Sequence, residues 1–313
     1  MHGLHELPKA ELHLHLEGSV TSDTMRELAP EASAEEIRER FHFSSFAGFL
    51  ECFKWVVEQL RSPEDYALVT RRLLEALEQQ NVRYAEITLS AGVVLWKEQD
   101  FSPIYEAVRR EAMRSNVEVQ WNLDAVRHFG SELAMQVAQL AAERVDQGVV
   151  SFGIGGDEAR GPAEWFAEVY RFARANRLRL TAHAGETTGP ESVWGALRLG
   201  AERIGHGIRS VEDPALLRHL RDHNIPLEIC ISSNVATGAV ATLAAHPIRR
   251  LYEAGVPIIL NTDDPGIFGT TLEREYDLAA SEFGFSEAEL RQIVGNGFRY
   301  AFERNDSLPS TIA

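Results

Sequence analysis

The sequence predicts one (β/α)8 barrel domain over residues 1–313, with a helical insertion between its first two strands. Two patterns predict it. Eight short apolar, β-branched segments recur along the chain with helix-favouring stretches between them, and polar residues gather at their carboxyl ends. Strand-then-helix alternation requires parallel strands, and eight such units close a barrel whose chemistry sits at the carboxyl ends of its strands.

The first segment, AELHLHLEG (10–18), ends in two histidines. An insertion at about 23–62 follows, in which FAGFLECF puts Phe46, Phe49, Leu50 and Phe53 at i, i+3, i+4 and i+7, one stripe of a helix. PEDYALVTRRLLEALEQQ (63–80) reads as a further helix and VRYAEITLS (82–90) as the second strand. VEVQWNLDAV (117–126) is the third, then helical SELAMQVAQLAAERVDQG (131–148), then VVSFGIGG (149–156). LRLTAHAGE (178–186), ERIGHGI (202–208), IPLEICISS (225–233) and VPIILNTDD (256–264) complete the eight. The nearest alternative, an open doubly wound sheet, usually carries a G-x-G-x-x-G turn after its first strand, and none is present.

The net charge of −16 argues against nucleic acid and anionic membranes as partners, because phosphate-rich surfaces demand Lys and Arg. No apolar run approaches the ~20 residues of a membrane span, and MHGLHELPKAEL has neither the basic nor the apolar part of a secretion signal. Cys52 and Cys230 are isolated and suggest no disulfide framework. The expectation is a cytoplasmic protein acting on a small molecule, its oligomeric state left open.

Side chains on a strand alternate faces, so His13 and His15 point the same way, about 7 Å apart. That lets two imidazoles converge on one ion at ~2.0–2.1 Å each. Leu12, Leu14 and Leu16 make the surroundings poor for an unpartnered imidazole. HAGE supplies His183, and NTDDP supplies the adjacent carboxylates Asp263 and Asp264. Two buried aspartates side by side repel, unless a divalent cation meets one and a hydrogen-bond donor the other. Three imidazoles and one carboxylate suit Zn²⁺ with a position left open; iron, manganese and cobalt fit as well. The only lysines are Lys9, Lys54 and Lys97, so no carboxylated lysine on the fourth strand can bridge two metals, and one is expected.

ELHLHLEG, HAGE, IGHG and NTDDP, in this order, resemble the adenosine deaminase family, zinc-dependent (β/α)8 hydrolases of 6-aminopurines. The resemblance covers roughly residues 8–300. It implies one Zn²⁺ held by His13, His15, His183 and Asp263. Glu186 would give a proton to purine N1 while hydroxide adds at C6, which requires a pKa raised by burial. His206 would orient the attacking water and help deprotonate it. Asp264 would hold the same water and meet purine N7. Gly156 would offer its N–H to N3, and the Phe46, Phe49, Leu50 and Phe53 stripe would cover the base, with Trp55 extending it.

The substrate is less determined. Classical members read H-x-H-L-D-G and contact ribose through the aspartate; here Glu17 stands at that place, as in many adenine deaminases of the family. SSNVATGAV (232–240) instead resembles the nucleoside deaminases, and GIFGTTLEREY (266–276) the aminodeoxyfutalosine deaminases, whose substrate is an adenosine with a bulky 5′ group. A 6-aminopurine nucleoside is expected, adenosine or a 5′-modified one, with free adenine the alternative. Another single-metal barrel hydrolase, or a catalytically silent binding barrel, is more remote. His128 follows the third strand and reads as a loop residue within reach of the pocket.

Overall fold

The computed structural model describes residues 2–302, so positions 303–313 of the expected domain lie outside the described residues. Eight parallel strands pair in chain order: β1 Lys9–His15, β2 Val82–Leu89, β3 Glu118–Val126, β4 Val149–Gly155, β5 Arg179–Ala184, β6 Arg203–His206, β7 Leu227–Ile229 and β8 Ile258–Leu260. The β8–β1 seam is nearly closed. There His15 N donates to Asp263 O at 2.8 Å and Asp263 N to His13 O at 3.1 Å. Below them the Asn261 side chain takes the place of a strand, its Oδ1 accepting from Leu12 N and His13 N. Helix Glu287–Arg299 packs across β1 and β8 and covers this seam from outside.

The last strands are shorter than the sequence pattern suggests. In the segment expected as a strand over 225–233, pairing stops at Ile229 and a helix, Ile231–Ala236, begins. In 256–264 the ladder with β7 ends at Leu260. His206 and Asp263 lie at φ 60° and 66°, a left-handed conformation that costs a non-glycine residue ~1–3 kcal/mol and turns the chain out of the ladder. The strands end where their side chains are re-aimed.

Three helices, Ser22–Leu28, Ala34–Arg40 and Phe46–Gln59, form the insertion between β1 and β2. Each begins at a Thr or Ser whose side chain accepts a backbone N–H of the first turn: Thr21, Ser33 and Ser45. Helix Pro63–Gln79 follows, started by a capping box between Ser62 and Asp65. Among the described residues no helix is long and apolar enough to cross a membrane.

The barrel interior carries ions as well as apolar side chains. Arg203, fully buried, donates through Nε to Glu228 Oε1 at 2.6 Å and through Nη2 to Glu86 Oε2. Nη1 reaches Tyr300 O at 2.9 Å, and the Phe302 ring lies 3.6 Å from the guanidinium. Phe302 N donates to Glu86 Oε1, so the chain beyond the last helix is tied to this cluster. Removing one partner of a buried ion cluster leaves an uncompensated charge. Glu86→Ala is therefore expected to lower the unfolding free energy by about 3–5 kcal/mol in urea denaturation of the full chain.

Candidate metal centre and substrate pocket

The carboxyl ends of β1, β5, β6 and β8 bring four imidazoles and two carboxylates together. Ring centroids lie 4.5 Å apart for His13 and His183, 5.3 Å for His13 and His15, and 5.0 Å for His13 and His206. Asp263 stands among them. His15 Nδ1 is 2.9 Å and His13 Nε2 3.2 Å from its Oδ1, while Ser233 Oγ donates to its Oδ2 at 2.6 Å. His13, His183, His206 and Asp263 offer donor atoms all within 4.8 Å of one another, and His15, Asp263 and Asp264 form a second such group sharing Asp263.

The donor set fits a metal ion. His13 Nε2 and His15 Nδ1 are buried and have no hydrogen-bond partner, although each lies close to a carboxylate oxygen. The opposite nitrogen of two rings is committed elsewhere: His13 Nδ1 to Glu228 Oε2 at 2.9 Å, and His183 Nδ1 to the Ile154 carbonyl at 3.1 Å. A ring nitrogen facing a carbonyl must carry the proton, which leaves Nε2 of His183 free as a ligand, and a carboxylate does the same for His13.

The adjacent aspartates are split as like charges in a dry site must be. Burial disfavours the charge on both, but the close approach of the His13 and His15 rings holds Asp263 well below the usual carboxylate range. Asp264 is pushed up, by burial and by the charge on Asp263. Its carboxylate rests on Gly18, where a Cβ would come within 1.7 Å of Oδ1, so the glycine of the HLEG motif is required by this contact. At Gly205, in IGHG, a Cβ would meet His13 Cε1 at 2.7 Å.

Glu186 is buried beside the cluster, its Oε2 3.7 Å from His206 Nε2. Burial, then the charges of Asp263 and Glu158, raises its pKa well above the usual carboxylate value, the direction a proton donor needs. His206 is pushed down to about 4, chiefly by burial, and is neutral.

A cavity of about 390 Å³ opens over the cluster. His15, His183, Glu186, His206, Asp263, Asp264 and Gly156 line it, together with Phe46, Phe49, Leu50 and Phe53 of the inserted helix. Gly156 adopts φ 86° at the end of β4. Two of the expected residues lie outside this lining. Trp55 does not line the cavity; it packs edge-on to Phe41 beneath the Arg40 guanidinium. Glu17 is fully buried outside the lining, and its Oε1 accepts from Ser90 N at 3.1 Å. Its longer side chain reaches back to the β2 end rather than into the pocket. Ser90 itself lines the cavity.

Other lining residues escaped the motifs. Asp124, at the end of β3, is buried with Oδ1 unpartnered, its pKa pushed up to about 7 by burial. Its position at a strand's carboxyl end was the available signal. His128 lines the wall with Nδ1 buried and unpartnered. Glu158 was missed although it follows Gly156 within GGDE. It accepts from the backbone N–H groups of Gly185, Glu186 and Thr187 at 2.8–2.9 Å, and from the hydroxyls of Thr188 and Ser192. These bonds fix the loop that presents Glu186, and they outweigh burial to hold Glu158 below its ordinary pKa.

The family model described as adenosine deaminase matches residues 8–310. The chain belongs to the adenosine deaminase family. It is 40% identical over 310 residues to an aminodeoxyfutalosine deaminase of Streptomyces avermitilis, covering 95% of this chain and 87% of that one. It is 37% identical to an adenine deaminase of Rhizobium leguminosarum bv. trifolii, covering 98% of both. An amidohydrolase of Burkholderia ambifaria, solved with bound Zn, superposes with a TM-score of 0.89 at 28% identity, covering 97% of this chain and 88% of that one. The adenosine deaminase fold and the clustered His/Asp site make this chain a hydrolase of the amidohydrolase and deaminase type, with a site suited to one Zn²⁺. Its reaction class is the zinc-dependent deamination of an adenine- or adenosine-type substrate.

Dialysis against a chelator is expected to abolish 6-aminopurine hydrolysis and added zinc to restore it. Elemental analysis should find Asp263→Ala depleted of zinc. Glu186→Gln should keep one zinc per chain and lose about 10²–10⁴-fold in kcat.

Proposed function

We propose that this enzyme deaminates a 6-aminopurine nucleoside extended at its 5′ end, the substrate class named by its Streptomyces avermitilis relative, releasing the 6-oxo nucleoside and ammonia. One observation carries the reading: the cavity continues well past the metal cluster. Its wall holds the unpartnered acceptor Asp124 Oδ1, placed for a sugar hydroxyl. Its rim holds Trp96 stacked on Phe129 at 5.5 Å, with the Lys54 and Arg160 side chains nearby. Both side chains are cationic. A free base would use only the floor; a flat or anionic 5′ group would use the rim.

His13, His15, His183 and Asp263 would hold the zinc. When bound, it supplies Lewis-acid activation, lowering the pKa of water from 15.7 to about 7. The chain's own residues do the rest. Glu186, protonated, gives its proton to ring N1 as water's oxygen adds at C6, while a water proton passes to Asp264. On collapse Asp264 returns that proton to the amino group, the C6–N bond breaks to release ammonia, and the remaining hydroxyl proton goes to Glu186 as C6=O forms. Asp264 Oδ1, buried and unpartnered, holds the attacking water and faces N7. His206 holds the water from the other side. Gly156 N–H meets N3, and the Phe46–Phe53 stripe closes over the base and excludes bulk water. The compartment that fits is the cytoplasm, where the buried free thiols of Cys52 and Cys230 stay reduced.

The test is a comparison of kcat/KM for adenine, adenosine and aminodeoxyfutalosine with the zinc-loaded enzyme. The 5′-extended nucleoside should lead, and Arg160→Ala should lower its value while sparing adenosine. Adenine as the best substrate would overturn the reading.

A further inference from the structure

Behind the cluster, three buried side chains form one chain of hydrogen bonds. Ile248 N donates to His246 Nδ1 at 3.2 Å, His246 Nε2 meets Asn234 Oδ1 at 3.1 Å, and Asn234 Nδ2 meets His206 Nδ1 at 3.0 Å. Asn234 and His206 are essentially inaccessible, and its backbone is held by bonds from its own N to Cys230 O and from Val240 N to its O.

The direction of the chain is set at its far end. A backbone N–H can only donate, so His246 Nδ1 must be the acceptor nitrogen. Burial keeps this imidazole neutral, its pKa pushed down to about 3, so its single proton is on Nε2. That proton goes to Asn234 Oδ1 and fixes which way the amide faces. The amide nitrogen, also only a donor, is then turned to His206. A ring nitrogen that accepts has no proton of its own.

We propose that this backbone-anchored relay fixes His206 as the tautomer protonated on Nε2, with His246 and Asn234 as positioning residues. Two consequences follow at the site, where Nε2 faces Glu186 Oε2 at 3.7 Å and Asp263 Oδ2 at 3.9 Å. A protonated nitrogen has no lone pair for a metal. His206 is thereby removed from the four-donor group it forms with His13, His183 and Asp263, and the fourth place falls to His15. The same proton makes His206 a donor to the attacking oxygen rather than the acceptor of its proton, which replaces the deprotonating role that the family resemblance implied. The second consequence rests on the deaminase reading; the tautomer does not.

The experiment is long-range ¹⁵N–¹H correlation spectroscopy on zinc-loaded protein labelled at the histidine rings, with His206 assigned by the loss of its signals in His206→Ala. The wild type should show His206 protonated at Nε2 only. Asn234→Leu should show both tautomers, with kcat down about 10–100-fold, KM within about twofold and one zinc per chain. His246→Leu should behave alike. In His246→Gln the glutamine Nε2 amide can donate to Asn234 Oδ1 where the imidazole Nε2 stood, so the single tautomer and most of kcat should return. A proton on Nδ1 of His206 in the wild type, or wild-type kcat in both leucine variants, would overturn the relay. If the spectrum is as expected but no 6-aminopurine reacts, the relay stands and the deaminase reading falls.

Discussion

The structure depends on Asp263, which closes the barrel with its backbone and gathers the site with its side chain. Its N–H and C=O bond to His13 and His15 across the β8–β1 seam, and its carboxylate receives the rings of those same residues. Seam and site are thus one interaction. The left-handed backbone at Asp263 makes this geometry available, and a strain of that kind persists only where the surroundings over-determine it. Here they do: Ser233 holds the carboxylate, Gly18 leaves room for the neighbouring Asp264, and Asn261 supports β1 from below.

Around that centre, buried charge is managed by second partners rather than by exposure. His13 leans on Glu228, Glu228 on Arg203, and Arg203 on Glu86 and the carbonyl of Tyr300. Each group in this line would be costly alone in a dry interior; together they keep one imidazole nitrogen directed at the cluster. Glu158 does similar work on the other side, where its accepted bonds fix the Glu186 loop and its charge helps raise the Glu186 pKa. The chain therefore raises the pKa of one buried carboxyl, Glu186, beside an aspartate, Asp263, whose pKa is lowered.

Much of this was legible in the sequence because it is local. Strand parity puts His13 and His15 on one face, and the strand-end rule finds His183, Glu186, His206 and the aspartate pair. What escaped was of a different kind. Glu17 has the parity of the ligands, yet its extra methylene lets it bond Ser90 N, a partner 73 residues away. Glu158 and Asp124 matter through neighbours on other strands. Trp55 follows the aromatic stripe in sequence but turns to Arg40 and Phe41.

By itself, then, the amino-acid sequence determined the barrel, the donor types and the ends of the strands on which they stand, since periodicity and composition act over a few residues. The fold alone decided which nitrogens face the cluster, which carboxyl pKa values rise and which fall, and which side chains reach the cavity. Those outcomes depend on hydrogen bonds and on burial between residues far apart in the chain, and neither can be read from spacing.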